Sequence, residues 1–244
     1  MPVIYRKYGE IVEITETEKE PSKIRVYSPR ARRIIYGPRR RDNIWRTKQI
    51  CVRRLSSALE EFGCPLLVTL TFKGDASDAS FANDSLRRFQ VRLQTKFPKA
   101  QSLFVPELSP RGRIHFHGLV FNVPLSLGDT KIGRRIISYG DERKTRILAK
   151  LWGQGFVDAR KTDGSRKLAY YISKYITKGA GEVLFNAMRL LRISHGFPKE
   201  IVIRGKLAEE LKRRYDKKES FKNWSGENYF TGKITKKFYL KEKL

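Results

Sequence analysis

Two of the chain's three histidines stand two apart, in Arg113-Ile114-His115-Phe116-His117, inside a run with strand composition. Side chains at i and i+2 of a strand leave by the same face. Both imidazoles therefore emerge side by side, close enough to grip one metal ion, while Ile114 and Phe116 point toward a core. Glu107 sits near the end of a preceding strand-like run (102–108), and the turn Ser109-Pro110-Arg111-Gly112 brings it back beside the histidines as a candidate third ligand. One carboxylate and two imidazoles suit Mg²⁺, Mn²⁺ or a similar ion and leave positions open for substrate. Structural zinc fits less well, because no thiolate is near. Taken singly, the histidines also read as structural or surface residues, and Glu107 as a surface charge.

A second group lies downstream. If Ala169-Tyr170-Tyr171-Ile172-Ser173-Lys174-Tyr175-Ile176-Thr177-Lys178 is helical, then Tyr171, Lys174, Tyr175 and Lys178 follow i, i+3, i+4, i+7 and line one face. Leu168, Ile172 and Ile176 form an adjacent apolar stripe that can pack on a sheet. Two phenols and two ammonium groups would thus be presented from an anchored helix. The bland alternative is a set of core-edge tyrosines on a solvated lysine face.

These residues need a sheet and packed helices to position them. Residues 66–72, Leu-Leu-Val-Thr-Leu-Thr-Phe, read as a central strand, 156–160 as a short strand, and 102–108 with the histidine run as a hairpin. Helical periodicity covers 43–62, ended by Gly63 and Pro65, and a second helix capped by Ser80 or Asn83 runs to Phe97. The turn Asp163-Gly164-Ser165 precedes the tyrosine helix, over 166–178. Residues 1–20 suggest a hairpin, 207–218 a basic helix, and 219–244 a lysine-rich tail interleaved with aromatics. The expected fold is α+β: a central antiparallel sheet with helices packed on one face and the tyrosine helix against the histidine strand. Three segments are expected: a basic N-terminal arm and helix over 1–64, a core over 65–200, and a basic C-terminal helix and tail over 201–244.

Composition narrows the partner. The chain has 244 residues, 40% of them hydrophobic, and a formal charge of +27, so a packed domain with a polyanionic partner is expected. No amphipathic basic helix with a wide apolar face and no apolar run of transmembrane length appears, which disfavours a membrane. Cys51 and Cys64 form no Cys-x-x-Cys motif. Together with the lack of a signal peptide, this points to the cytoplasm of a cell. Arg39, Arg40 and Arg41 in the basic N-terminal stretch, Arg111 and Arg113 beside the histidines, and the run Lys212-Arg213-Arg214 are candidate DNA contacts. His195, in Ser194-His195-Gly196-Phe197, reads as structural or DNA-contacting rather than metal-binding.

Glu107, then His115-x-His117, then Tyr171-x-x-Lys174-Tyr175, in that order, resembles the HUH endonuclease superfamily of rolling-circle replication initiators, relaxases and some transposases. Leu67–Phe72 looks like its first strand motif. Trp152-Gly153-Gln154-Gly155-Phe156 and the paired tyrosines are similar to replication initiators of microvirus-type single-stranded DNA bacteriophages. The resemblance covers about residues 65–180 and implies an HUH nickase fold with a ferredoxin-like arrangement. It implies a site-specific endonuclease and strand transferase that nicks and rejoins single-stranded origin DNA through a 5′-phosphotyrosine. The metal, Mg²⁺ or Mn²⁺, would be held by Glu107, His115 and His117, with Tyr171 and Tyr175 as nucleophiles and Lys174 and Lys178 assisting. No Gly-x-x-x-x-Gly-Lys-[Ser/Thr] occurs, so a host helicase and polymerase are expected partners in the host cytoplasm. A relaxase, a two-tyrosine transposase and a non-enzymatic nucleic-acid-binding protein remain the alternatives.

Overall fold

The structure, a computed structural model, describes residues 1–19, 41–74, 78–128, 146–178, 189–228 and 231–241. The chain divides into two units, Tyr36–Pro198 and Met1–Ile35 with Lys199–Leu244. Among the described residues no helix is long and apolar enough to cross a membrane.

The first unit is built on a five-stranded antiparallel sheet of β3 (Leu66–Phe72), β4 (Gln101–Leu108), β5 (Ile114–Phe121), β6 (Gly155–Lys161) and β7 (Arg192–Ile193), in the order β6-β3-β5-β4-β7. Helices α1 (Arg41–Phe62), α2 (Ala79–Lys96), α3 (Arg146–Trp152) and α4 (Lys167–Lys178) flank it. The hairpin and the place of the tyrosine helix against the histidine strand are as the sequence led us to expect. The helices, however, cover both faces rather than one. The even-numbered residues of β3 and β5 (Leu70, Phe72, Phe116) pack under α2 and α3, with Trp152 edge-on to Phe72 at 4.9 Å. On the other face Phe121 meets Phe62 of α1 at 5.8 Å, and α1 packs along α4. The cause is legible in β5: beyond the histidines, Leu119, Val120 and Phe121 are consecutive and all buried, so both faces of that end need covering.

The second unit is a separate five-stranded antiparallel sheet. It contains β1 (Val3–Tyr8), β2 (Ile11–Thr17), β8 (Ile201–Arg204), β9 (Lys222–Asn228) and β10 (Gly232–Leu240), in the order β8-β1-β2-β10-β9. Helix α5 (Lys206–Arg213) covers one face with Ala208 and Leu211, together with Val3, Tyr5, Val12, Ile14, Tyr215 and Tyr239.

Four details depart from the sequence reading. Helix α1, placed there with an N-terminal arm, shares the core of the first sheet through Cys51, Leu55 and Ala58. The lysine-rich tail is the β9–β10 hairpin, paired to β2 with Leu240 opposite Ile11 and Ile234 opposite Thr17. The helix there stops at Arg213, and the backbone then closes turns through Tyr215. Finally, α2 is capped by Asp78, whose carboxylate accepts from the Ser80 backbone N–H at 2.7 Å, not by Ser80 or Asn83. Asn83 lies buried within the helix and accepts from Arg192. Arg39, Arg40, the loop 129–145 and the side chains of Arg41 and Lys178 lie outside the described residues.

Candidate active site

Strand register assembles the polar group. In the β4–β5 pair Glu107 stands opposite His115 and Val105 opposite His117; in the β3–β5 pair Thr71 stands opposite His115 and Thr69 opposite His117. Opposed residues of antiparallel strands share a face, so Thr69, Thr71, Glu107, His115 and His117 form one polar row across three strands. His117 Nε2 donates to Glu107 Oε2 at 2.6 Å. Thr69 Oγ1 lies 3.2 Å from His117 Nδ1, and Thr71 Oγ1 lies 3.1 Å from His115 Nδ1. Each threonine thereby fixes a ring orientation through Nδ1, so that His117 Nε2 is directed at Glu107 and a metal ion would take the place of the proton between them. A hydroxyl both donates and accepts, so it serves either tautomer.

The donor set suits a divalent cation: one carboxylate and two Nε2 atoms, each imidazole backed by a hydrogen-bonding partner. Among the described residues no three carboxylate, imidazole or thiol groups already converge as a ligand cage. Glu107 meets His117, and His115 stands beside them on the same face. Burial is the main cause holding His115 below the ordinary histidine range; the Glu107 charge opposes this and Arg113 adds to it. His115 is therefore neutral, and able to ligate, at neutral pH.

The tyrosine helix closes over this row. Of the apolar stripe, Ile172 and Ile176 are buried and Leu168 is half-buried, and Ala169 is buried beside them. The Tyr175 ring lies flat on the His117 imidazole, 4.0 Å between centroids at 8°. Its hydroxyl donates to Tyr171 Oη at 2.7 Å. Tyr171 is 41% exposed. The Tyr175 phenol is raised well above its usual value, chiefly by burial, then by the hydrogen bond and charge of Tyr171 and the charge of Glu107; Arg160 opposes this. Lys174 is exposed on the same helix. Arg111 and Arg113 are exposed on the β4–β5 turn, which Ser109 closes by accepting from the Gly112 N–H at 2.9 Å. Gly112, at φ +74°, takes the left-handed conformation there.

Sequence reading missed four members of this neighbourhood. Thr69 and Thr71 read only as strand residues. Asp158 and Arg160 of β6 share the face through Thr69 opposite Asp158 and Leu67 opposite Arg160. Arg160 grips Asp158 at 2.7 Å and is close enough to both phenols to feel their charges. The alternation of Phe156, Asp158 and Arg160 was the available signal, but it acquires meaning only once β6 is known to border β3.

The Trp152-Gly153-Gln154-Gly155 motif acts as a lock on that border. Trp152 is fully buried and its indole N–H donates to the Thr71 carbonyl at 3.0 Å. The Lys73 N–H donates to the Gln154 carbonyl at 2.9 Å. A Cβ on Gly155 would collide with Lys73 N and the Thr71 carbonyl, so only glycine lets the strands approach. Both contacts fix the backbone of the residue that orients His115.

The other candidates are not members of the row. His195 is exposed in a turn. Lys212, of the second unit, is engaged by Glu16 at 2.7 Å, whereas Arg213 and Arg214 are exposed.

Residues 65–180 match the family model of the replication-associated protein ORF2/G2P. No curated protein and no solved structure matches the chain. The matched span begins at β3, ends just beyond α4, and contains Glu107, both paired histidines and both tyrosines.

Proposed function

We propose that this chain is a replication initiator that nicks and rejoins single-stranded DNA at an origin, through a 5′-phosphotyrosine, for rolling-circle replication. One observation carries the reading: a hydrogen-bonded pair of phenols, one exposed, stacked on an imidazole of a Glu-His-His row. The family match over residues 65–180 favours replication over the relaxase and transposase readings.

A phosphodiester repels nucleophiles, so a tyrosine nicking enzyme needs an activated phenol and positive charge at the phosphate. A divalent ion, Mg²⁺ or Mn²⁺, held by Glu107, His115 and His117, supplies that charge when bound. The protein's own groups do the rest. Tyr171 is the first nucleophile. The residue is exposed, and its oxygen accepts a hydrogen bond from Tyr175. That donor stabilises a developing phenolate, and Tyr175, held protonated by burial, remains able to give it. Arg160 adds positive charge near both phenols, Lys174 can meet the phosphate from the same helix, and Arg111 and Arg113 grip the flanking backbone. Lys178 belongs to the same proposed set.

In the reaction the Tyr171 oxygen bonds to phosphorus as the bond to the 3′ oxygen breaks. The 5′ phosphate stays on the enzyme, the phenolic proton passes to solvent, and the 3′ oxygen leaves as a hydroxyl. The diester energy is retained in the phosphotyrosine, so rejoining needs no nucleotide triphosphate. One helical turn away, Tyr175 serves the second cut after a replication round. A host helicase and polymerase complete the cycle in the host cytoplasm.

The test is a denaturing gel of the full chain with labelled single-stranded fragments of its replicon and Mn²⁺ or Mg²⁺, against a chelator control. A metal-dependent covalent band is expected, weakened by Tyr171→Phe and abolished by adding Tyr175→Phe. Wild-type nicking by the double variant would refute the covalent scheme. Tight binding of every fragment with no adduct would leave a non-enzymatic DNA-binding protein.

A further inference from the structure

The β9–β10 hairpin lies outside the family-matched span, and one of its faces is built as a checkerboard. Lys236 stands opposite Trp224 and Phe238 opposite Lys222, so each strand contributes one ring and one lysine to this face, with the order reversed. The Lys236 ammonium lies 5.3 Å from the Trp224 ring centre and the Lys222 ammonium 5.8 Å from that of Phe238. Phe221 extends the aromatic row, 6.4 Å from Phe238. Gly226 makes room for the indole: a Cβ there would stand 2.5 Å from it. Trp224, on the edge strand β9, is 43% exposed, and Phe221, just before that strand, is 51% exposed. Large rings left this open carry a hydration cost that a stacked ligand removes. The surrounding charge fixes the ligand's sign, since residues 199–244 hold fourteen Lys and Arg against seven Asp and Glu.

We infer that this face is a stacking platform for single-stranded DNA, with bases on Trp224, Phe238 and Phe221 and a backbone phosphate on Lys222, while Lys236 braces Trp224 from the side of Glu13. Rings accept any base and ammonium groups accept any phosphate, so the platform holds a strand without reading its sequence. Duplex DNA hides its base faces and cannot use the rings. The choice of DNA rests on the nicking proposal; the stacking surface itself does not.

The experiment is fluorescence anisotropy of the full chain with a labelled oligothymidylate of about 15 nucleotides, an oligouridylate and a duplex of matching length. Trp224→Ala is expected to weaken oligothymidylate binding on the order of tenfold, with Trp224→Tyr restoring most of it. Phe221→Ala should weaken it less. Lys222→Gln should lower the slope of log affinity against log salt by about 0.7. Unchanged affinity in both Trp224→Ala and Phe221→Ala, with native circular dichroism, overturns the platform. So does a duplex bound as tightly as the single strand. Tighter binding of oligouridylate overturns the assignment to DNA. The wild-type adduct gel is scored alongside. An adduct without Trp224-dependent binding sinks the platform and leaves the nicking reading standing, and Trp224-dependent binding without an adduct does the reverse.

Discussion

Each sheet contains a glutamate held by neighbouring side chains, and the two differ in how deeply they are buried. Glu13, in the sheet of the chain ends, is 1% exposed and bonded by Arg6 at 3.3 Å, Tyr8 at 3.2 Å and Thr15 at 3.3 Å, with Lys236 at 4.0 Å. A carboxylate surrounded in this way has its bonding capacity filled from within the sheet, as a buried charge must to be tolerated. Glu107 has a side chain 19% exposed and bonds His117, whose ring is stacked under Tyr175. Residue type is the same in both places. Depth of burial separates scaffold from site, and this can be tested by breaking each in turn.

The largest effect should come from the scaffold glutamate. Arg6→Met leaves Glu13 buried without its guanidinium and should destabilise its own sheet by about 3 kcal/mol. Hydrogen exchange read by mass spectrometry assigns the loss to peptides of β1, β2 and β10. Glu107→Gln should cost under about 1 kcal/mol, because its carboxylate is partly solvated, yet remove metal-dependent adduct formation. Equal destabilisation by the two substitutions would erase the distinction drawn between them.

A smaller effect sharpens the same contrast within the site. Thr69→Val and Thr71→Val keep the side-chain shape but remove the hydroxyls that orient the two imidazoles. Loss of such a supporting partner typically costs on the order of 10- to 100-fold in metal affinity. Mn²⁺ titration by isothermal calorimetry should show a drop of that size, and Thr71→Ser should recover much of it. Unaltered Mn²⁺ affinity in the double variant would mean that packing under Tyr175 orients the rings and the hydroxyls do not.

What the sequence showed and what it hid divide along the range of the interactions. The His115–His117 hairpin was legible because its alternation and its turn are local, and the tyrosine helix because helical spacing is enough to place Tyr171, Lys174 and Tyr175. Thr69, Thr71, Asp158 and Arg160 were not, because their role depends on β6 lying beside β3 with Leu66 opposite Lys161. Local pattern does not encode that register. The C-terminal lysines misled for the same reason. Lys233, Lys236 and Lys237 read as a solvated tail until β10 is paired to β2 across the length of the chain, which turns Lys236 toward one face and Lys237 toward the other. Trp152 was legible as a motif but not as a lock, since its partner, the Thr71 carbonyl, lies eighty-one residues away.

The smallest expected effect concerns Tyr5, the scaffold's counterpart to the phenols of the site. Burial raises its phenol from 10.0 to about 12, with the charge and hydrogen bond of Tyr215 adding to the shift and Arg214 opposing it. Between those two pH values the unfolded chain has lost this proton and the folded chain keeps it. The stabilisation is therefore complete below about pH 10 and declines as pH rises toward 12. Tyr5→Phe should flatten that alkaline decline and change stability at neutral pH by about 1 kcal/mol or less. Part of the slope should persist, because burial also raises Tyr239 in the same sheet. Urea midpoints followed from neutral to alkaline pH measure both effects. If the decline were as steep in Tyr5→Phe as in the wild type, the alkaline loss would belong to other phenols, Tyr239 and Tyr175 among them, and Tyr5 would be ordinary packing.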